Sequence, residues 1–547
     1  MKSRRLHAST IVAFVVAVAL AAPWAQGPAF LAATGTSRGP GSPASVAISG
    51  EQVDLDAIYK MKQEGFERSQ VMETLSYLTD VHGPRLTNSP NIRKAAEWAM
   101  KRLTVWGITN VRQEVWGPFG RGWSNEKFTA NVLAPQPFPL TAFSKAWAPG
   151  TNGAVTGEAV MAVIENEADF ALWTGKLKGR IVLASKPAEV RALFTPLGRR
   201  FTADDLKDLE KQPEPRSQQE RSTFQSPPGP PMRRRMEFYA REGVVAVLEP
   251  GSGRSDHGAI LVSGPRELRD ASSTPQPPQI VVASEHYGRI ARTLEKNVPV
   301  TIELNVQNRY HDESLDSFNV IAEIPGTDKA DEVVMLGAHF DSWHAGTGAT
   351  DNAAGSAAML EAMRILKVTG LTMRRTVRLG LWTGEEQGLL GSRAYVKQQF
   401  ADAETMQLKP AQAKLSAYFN MDNGTGAIRG VYLQSNEAVR PVFAAFMSPF
   451  ENFGMTTLAI RNTGATDHVA FDEVGLPGFQ FIQDPVEYSG YSHHTNMDLY
   501  ERVQAQDMMK NAVIIASFVY HTANRDDRLP RKPLPPPRRP GRPTSSP

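Results

Sequence analysis

The sequence predicts an α/β protein: a doubly wound, mixed but mainly parallel sheet flanked by helices, with a β-rich domain inserted into it. Three observations lead there. From Ser317 onward, apolar runs (FNVIAEI, EVVMLGAHF, TVRLGLWT, KLSAYFNMD) alternate with helix-patterned segments (AAGSAAMLEAMRILKVTG, LLGSRAYVKQQFA, ERVQAQDMMKNAVIIASFVYHTAN). That alternation is expected of strands covered on both faces by helices. Between about 138 and 310 the texture changes to short β-rich runs between glycines, among them GRIVLASKP, GVVAVLEPG and VPVTIELNVQNRY. Finally, metal-type side chains collect where the first kind of run ends, and in an open α/β sheet ligands bind beyond the carboxyl ends of the strands.

In chain order, MKSRRLHAST followed by the apolar run Ile11–Ala22 reads as an export signal within residues 1–33. The run is too short for a bilayer span, which needs about 20 residues, although a retained anchor is the competing reading. Residues 51–110 read as helices split by the turn GPRLTNSP, and VRQEVWGPF and FTANVLAPQ then read as strands. The inserted domain occupies 138–310, a continuation of the main sheet being the alternative; within it, Arg199–Arg235 reads as a polar loop. The catalytic body therefore comprises 51–137 and 311–523. Residues 524–547, rich in Pro and Arg, are expected to be a disordered tail.

Charge and cysteine content narrow the function. The net charge of +3 comes from the ends: the first ten residues hold three basic groups and no acid, and the last 23 hold seven against two acids. The body between them is net acidic, which argues against nucleic acid as a partner. With no cysteine, the chain has no disulfides, and any metal must be held by His, Asp and Glu.

Five such residues lie at or beside predicted strand ends or in adjoining loops: His339, Asp351, Glu386, Asp422 and His494. Glu385 stands against the third. Asp341, two residues past His339, could point to the same side and orient its imidazole. Asp351 opens a helix among small residues that let the backbone start close to an ion. Adjacent side chains on extended backbone point apart, so one of Glu385 and Glu386 can ligate while the other faces substrate. Each residue alone is more often an ordinary loop residue. Five of them at the ends of one sheet, in a cysteine-free chain, make a set suited to a two-zinc hydrolase.

The segments GAHFDSW…GATDNAAG, LWTGEEQGLLGS, NMDNGTG, TDHVAF and HHTNMD resemble the M28 family of co-catalytic zinc peptidases, most closely its plasma glutamate carboxypeptidase (carboxypeptidase Q) branch. The insert resembles a protease-associated (PA) domain. The resemblance implies the zinc exopeptidase fold and two zinc ions per subunit. Asp351 would bridge them, His339 and Asp422 would complete one site, and Glu386 and His494 the other. Glu385 would be the general base for a metal-bridged hydroxide, with Asp341 supporting His339. Asp467 and His468 would have supporting roles, and His493 or Tyr491 would steady the oxyanion. The Asn352-Ala353-Ala354 context is that of general M28 aminopeptidases.

These readings imply an exported enzyme, periplasmic or secreted, that acts as an aminopeptidase or dipeptidase on peptides. They imply no nucleic-acid partner and no stable membrane span in the mature chain. The insert is expected either to restrict substrate access or to support a homodimer. Competing classes are a metal-free binding or scaffold protein of the same fold, and a zinc-dependent amide hydrolase or glutaminyl-cyclase-like enzyme, for which one zinc is expected.

Overall fold

The computed structural model describes residues 50–211, 230–251 and 257–538. The expected export signal at 1–33 lies outside them. Two eight-stranded sheets organise the chain. The first runs in the order Thr109–Trp116, Ser317–Ile324, Arg375–Trp382, Lys329–His339, Leu415–Asn420, Gly478–Gln483, Ile428–Tyr432, Thr457–Ala459. Its four central strands, from Arg375–Trp382 to Gly478–Gln483, are mutually parallel. Antiparallel strands flank them, so the sheet is mixed with a parallel centre.

The sheet is covered on both faces, which explains its continuous apolar runs. On the central strand Lys329–His339, Val334, Leu336 and Ala338 pack with the helices Ala354–Val368, Ala505–Asn524, Leu55–Glu67 and Pro90–Val105. Val333 and Met335 point the other way, to a smaller core with Tyr395, Phe400 and Phe471. Alternation along one strand thus serves two cores. The helix Ala354–Val368 is buried from Ala354 through Leu366, including Glu361 and Arg364. Arg364 is paired there with Glu361 (2.8 Å) and Glu64 (2.5 Å), and it donates to the Arg68 carbonyl.

The second sheet runs Phe138–Pro139, Gly122–Ala134, Thr301–His311, Ala154–Met161, Ile181–Leu183, Ala246–Pro250, Gln279–Val282, Ala142–Ser144. It is itself mixed and carries helices, including Met232–Arg241 and Ser284–Leu294. It starts earlier than residue 138. Gly122–Ala134, read from sequence as part of the catalytic body, pairs antiparallel along Thr301–His311. Local alternation marks a strand but does not name a partner nearly 180 residues away. An aromatic cluster of Trp116, Phe119, Trp123, Trp147 and Trp343 joins the two sheets. Residues 525–538 are not the free tail that composition suggested. Leu529 is buried, Arg531 donates to the Gln412 and Leu415 carbonyls, and Lys532 donates to the Gln434 carbonyl. The basic side chains are used on backbone acceptors of the body.

Candidate metal centre

The parallel strands deliver the site at their carboxyl ends. His339 is the last residue of its strand, and Glu385 and Glu386 follow Arg375–Trp382. Asp422 lies two residues past Leu415–Asn420. Asp351 sits in the turn Ala349–Ala353 that opens the helix Ala354–Val368. At Gly355 a Cβ would lie 2.4 Å from the Met421 carbonyl oxygen, so a glycine is needed where this helix start packs on the Asp422 strand end. His494 comes from the loop that precedes the long helix Ala505–Asn524.

The structure brings all five together around Asp351. On one side His339 Nε2 is 3.1 Å from Asp351 Oδ1 and 3.3 Å from Asp422 Oδ1. On the other, His494 Nε2 is 3.2 Å from Asp351 Oδ2 and 2.9 Å from Glu386 Oε2. Two donor triads therefore share the two oxygens of one carboxylate. A zinc ion bound tetrahedrally at about 2.0–2.1 Å holds neighbouring donors roughly 3.3 Å apart. Asp351 Oδ2, Glu386 Oε1 and Asp422 Oδ1 are buried and make no hydrogen bond. Two of them lie within 3.3 Å of an imidazole nitrogen without hydrogen-bond geometry, so the lone pairs converge between donors rather than on a proton. The donor set fits zinc, with His and carboxylate ligands and no thiolate.

The support around the triads is equally specific. His339 Nδ1 lies 3.0 Å from the Asp341 carbonyl; donating its proton there leaves Nε2 facing the two carboxylates. The buried Asp341 carboxylate accepts from the backbone N–H groups of Glu385 (3.2 Å) and Glu386 (3.3 Å) and from Thr87 Oγ1 (2.8 Å). It thus fixes the turn that separates the two glutamates. The Glu386 side chain is 2% exposed, and residues 385 and 386 both lie half-buried in the same turn.

Electrostatically the site favours cations. Burial alone would lower the His339 imidazole, but Asp422, Glu385 and the bonds to Asp341 and Asp351 hold it well above its ordinary value. His494 is likewise held up, against burial, by Glu386 and Asp351. Of the carboxyl groups, Asp351 would be raised by burial but is held well below its ordinary value by His339, His494 and His493, whereas the two glutamates do not gain. Burial, with Asp351 nearby, pushes Glu386 up to about 7 despite its imidazole partner. Burial, then Asp422, Asp467 and Glu386, holds Glu385 well above the carboxylate range against the pull of His339. More negative than positive charge is packed here, and divalent cations would balance it.

Other residues fall out differently from the sequence reading. His493 stacks on His494 (centroids 3.7 Å apart), with Nε2 3.7 Å from Asp351 Oδ2. Tyr491 turns away, donating to the carbonyl of His257, which lies between two strands of the second sheet. A tyrosine that the sequence did not single out, Tyr488, packs on His493 at 4.8 Å. Burial and the neighbouring Asp351, Asp422 and Glu386 keep its phenol protonated. Asp467 is fully buried, and burial pushes it up to about 7, offset in part by His339. His468 contacts Gln434 and the Thr463 carbonyl instead of the triads.

Two further residues were missed. Asp498 accepts from the backbone N–H groups of Thr350 and Asp351, fixing the Asp351 turn. Arg85, fully buried, donates to the carbonyls of Leu78, Phe340, Thr347 and Gly348, so it ties the His339 strand end to the Asp351 turn. Both stand in motifs that were visible, HHTNMD and GPRLTNSP, but their partners lie far away in sequence.

Residues 319–519 match the sequence profile of peptidase family M28. Over 477 residues the chain is 25% identical to carboxypeptidase Q of Rattus norvegicus, covering 87% of this chain and 90% of that protein. Its fold is similar to that of a peptidase M28 precursor from Shewanella amazonensis SB2B (TM-score 0.62, 24% identity, 88% of this chain and 98% of the other). It is also similar to BSAP, a zinc aminopeptidase from Bacillus subtilis (TM-score 0.53, 19% identity, 84% and 95%). The protein therefore carries, over residues 319–519, a domain of peptidase family M28.

Proposed function

We propose that the protein is an exported di-zinc exopeptidase of the aminopeptidase or dipeptidase kind. The observation that carries this reading is the pair of donor triads on opposite oxygens of Asp351. His339, Asp351 and Asp422 would hold one ion, and His494, Asp351 and Glu386 the other. Bound there, the ions would supply Lewis acidity, polarising a peptide carbonyl and acidifying a water. The zinc aminopeptidase and carboxypeptidase named among the relatives support a peptide as substrate.

The remaining work belongs to the chain. Glu385 has no place in either triad, lies half-buried beside Glu386, and is held well above the ordinary carboxylate range, chiefly by burial. That suits a base that takes a proton from the attacking water and passes it to the leaving amine. Asp341 holds the Glu385 and Glu386 backbone so that the two carboxylates diverge. Tyr488 remains a proton donor beside His493 and suits stabilisation of a developing oxyanion. Export rests on the N-terminal sequence; among the described residues no helix is long and apolar enough to cross a membrane.

The test combines metal analysis with a product profile on free dipeptides, longer peptides and N-blocked peptides. Two zinc ions per chain and release of terminal residues from unblocked substrates are expected. A chain that binds no zinc would return the protein to the scaffold class. A single ion with cyclisation of N-terminal glutamine would favour the cyclase class.

A further inference from the structure

The two triads are not built alike. His339 and Asp422 stand on the ends of central strands, with His339 wholly buried. His494 stands on a loop, and its backbone is left-handed (φ +61°). That region is sparsely populated by residues with a Cβ, and such a conformation persists where the surroundings over-determine it.

Much of what surrounds it belongs to the second domain. Val262 N–H donates to the His494 carbonyl (3.1 Å), and Asn496 N–H donates to the Ile260 carbonyl (3.2 Å). Together with the antiparallel bridge between Leu261 and Thr495, these bonds make a short ladder across the domain boundary. The Asn496 side chain closes it on both sides: Oδ1 accepts from Ile260 N–H (2.6 Å) and Nδ2 donates to the Gly258 carbonyl (3.1 Å). The ladder has a firm base. Ile260 and Val262 are buried with Val281 and Ala283 of the second domain. His344 reaches from the catalytic body to the Ser144 carbonyl (2.7 Å) beside it. Farther along the same loop, Arg199 N–H donates to the Val486 carbonyl (2.9 Å) and Phe201 N–H to Asp484 Oδ1 (2.9 Å). The second domain thus grips both ends of the segment that carries His493 and His494. On the inner side the loop is tied to the catalytic body through Asp498.

We propose that the second domain is a positioning part of the metal centre: segment Gly258–Val262 holds His494 against Asp351 and Glu386 through Asn496, so occupancy of one metal position depends on the domain boundary while the other does not. Asn496 touches neither triad and acts through the His494 backbone. The inference rests on the two-metal reading above.

The test is zinc titration of the metal-free full-length protein against a competing chelator, for wild type, Asn496→Ala and Asn496→Asp. Outer partners of metal ligands typically contribute about 10–100-fold in affinity. In Asn496→Ala one ion is expected to bind as in wild type and the other at least about tenfold more weakly. Activity should be restored at raised zinc concentration. Asn496→Asp keeps the acceptor for Ile260 N–H and is expected to recover most of the lost affinity. If the alanine variant does not fold, Asn496→Ser, too short to span both Ile260 N–H and the Gly258 carbonyl, carries the test with the same expected and overturning outcomes, and the far-UV spectrum and urea midpoint of the metal-free proteins are the check. Wild-type affinity for both ions in Asn496→Ala, or equal weakening of both, would overturn the proposal. A wild-type protein that binds fewer than two ions would instead sink the two-metal reading itself, whatever the variants do.

Discussion

Glu385 and Glu386 are neighbours of the same chemistry, and the structure assigns them opposite responses to one isosteric change. Glu386 is buried against His494 Nε2 at 2.9 Å, and its carboxyl is pushed from an ordinary 4.5 up to about 7 by burial. A folded-state value above the unfolded one means that the folded chain holds more protons between about pH 4.5 and 7. Stability of the metal-free protein therefore falls as pH rises through that window. At roughly 1.4 kcal/mol per unit, ionised Glu386 costs the metal-free fold on the order of 3 kcal/mol above pH 7. Glu386→Gln removes that cost and also the carboxylate that holds the His494 imidazole up, so the loss of stability of the metal-free protein between about pH 4.5 and 7 should be shallower in the variant than in wild type. At pH 4 the two should match. The same change should remove one of two bound zinc ions. Glu385→Gln should keep both ions and lower kcat by about 10²–10⁴, the usual contribution of a positioned acid–base group. The assays are urea unfolding of chelator-treated protein at pH 4 and pH 8, metal analysis of purified protein, and steady-state kinetics. Loss of an ion in Glu385→Gln, or full activity in it, would refute the division of labour. So would a metal-free Glu386→Gln protein whose stability falls between about pH 4.5 and 7 as steeply as that of wild type.

The other expectations concern the supports. Asp341→Asn leaves one oxygen where the Glu385 and Glu386 N–H groups and Thr87 share two, so at least one donor is orphaned; zinc affinity should drop about 10–100-fold by chelator competition. Tyr488→Phe should leave metal content unchanged and lower kcat more than it raises KM, by about 10²-fold or more if the phenol faces the developing charge. Arg364→Ala would strand the buried carboxylates of Glu361 and Glu64. It should cost about 3–5 kcal/mol in urea unfolding, with kcat per folded molecule unaltered.

The sequence carried the parallel centre of the catalytic sheet because strands buried on both faces must be apolar throughout. VVML and TVRLGLWT announce themselves without reference to partners. It marked the candidate donors His339, Glu385, Glu386 and Asp422 for a related reason: a charged side chain seldom sits inside a run buried on both faces, so it falls at or just past the end. It expected the paired glutamates to diverge as neighbours on extended backbone, whereas the strand ends at Trp382 and a turn held by Asp341 separates them; the roles assigned to each came from resemblance. It misplaced Gly122–Ala134 because alternation states that a strand exists, whereas pairing with Thr301–His311 is decided by sheet closure. Composition likewise marked residues 525–538 as solvated, while their Arg and Lys side chains find carbonyls of the body.

What the sequence by itself determined is the chemistry of the centre: which donor types exist, in what order, at which strand ends. Tertiary structure alone decided how they are held. Arg85 lies more than 250 residues from the Phe340, Thr347 and Gly348 carbonyls it joins, and Asn496 lies 236 from Ile260. Tyr488, not the nearer Tyr491, packs on His493 because a turn rotates one toward the centre and the other toward the second domain. Contacts of that span leave no local pattern of spacing or periodicity, because they join segments that lie far apart in the chain.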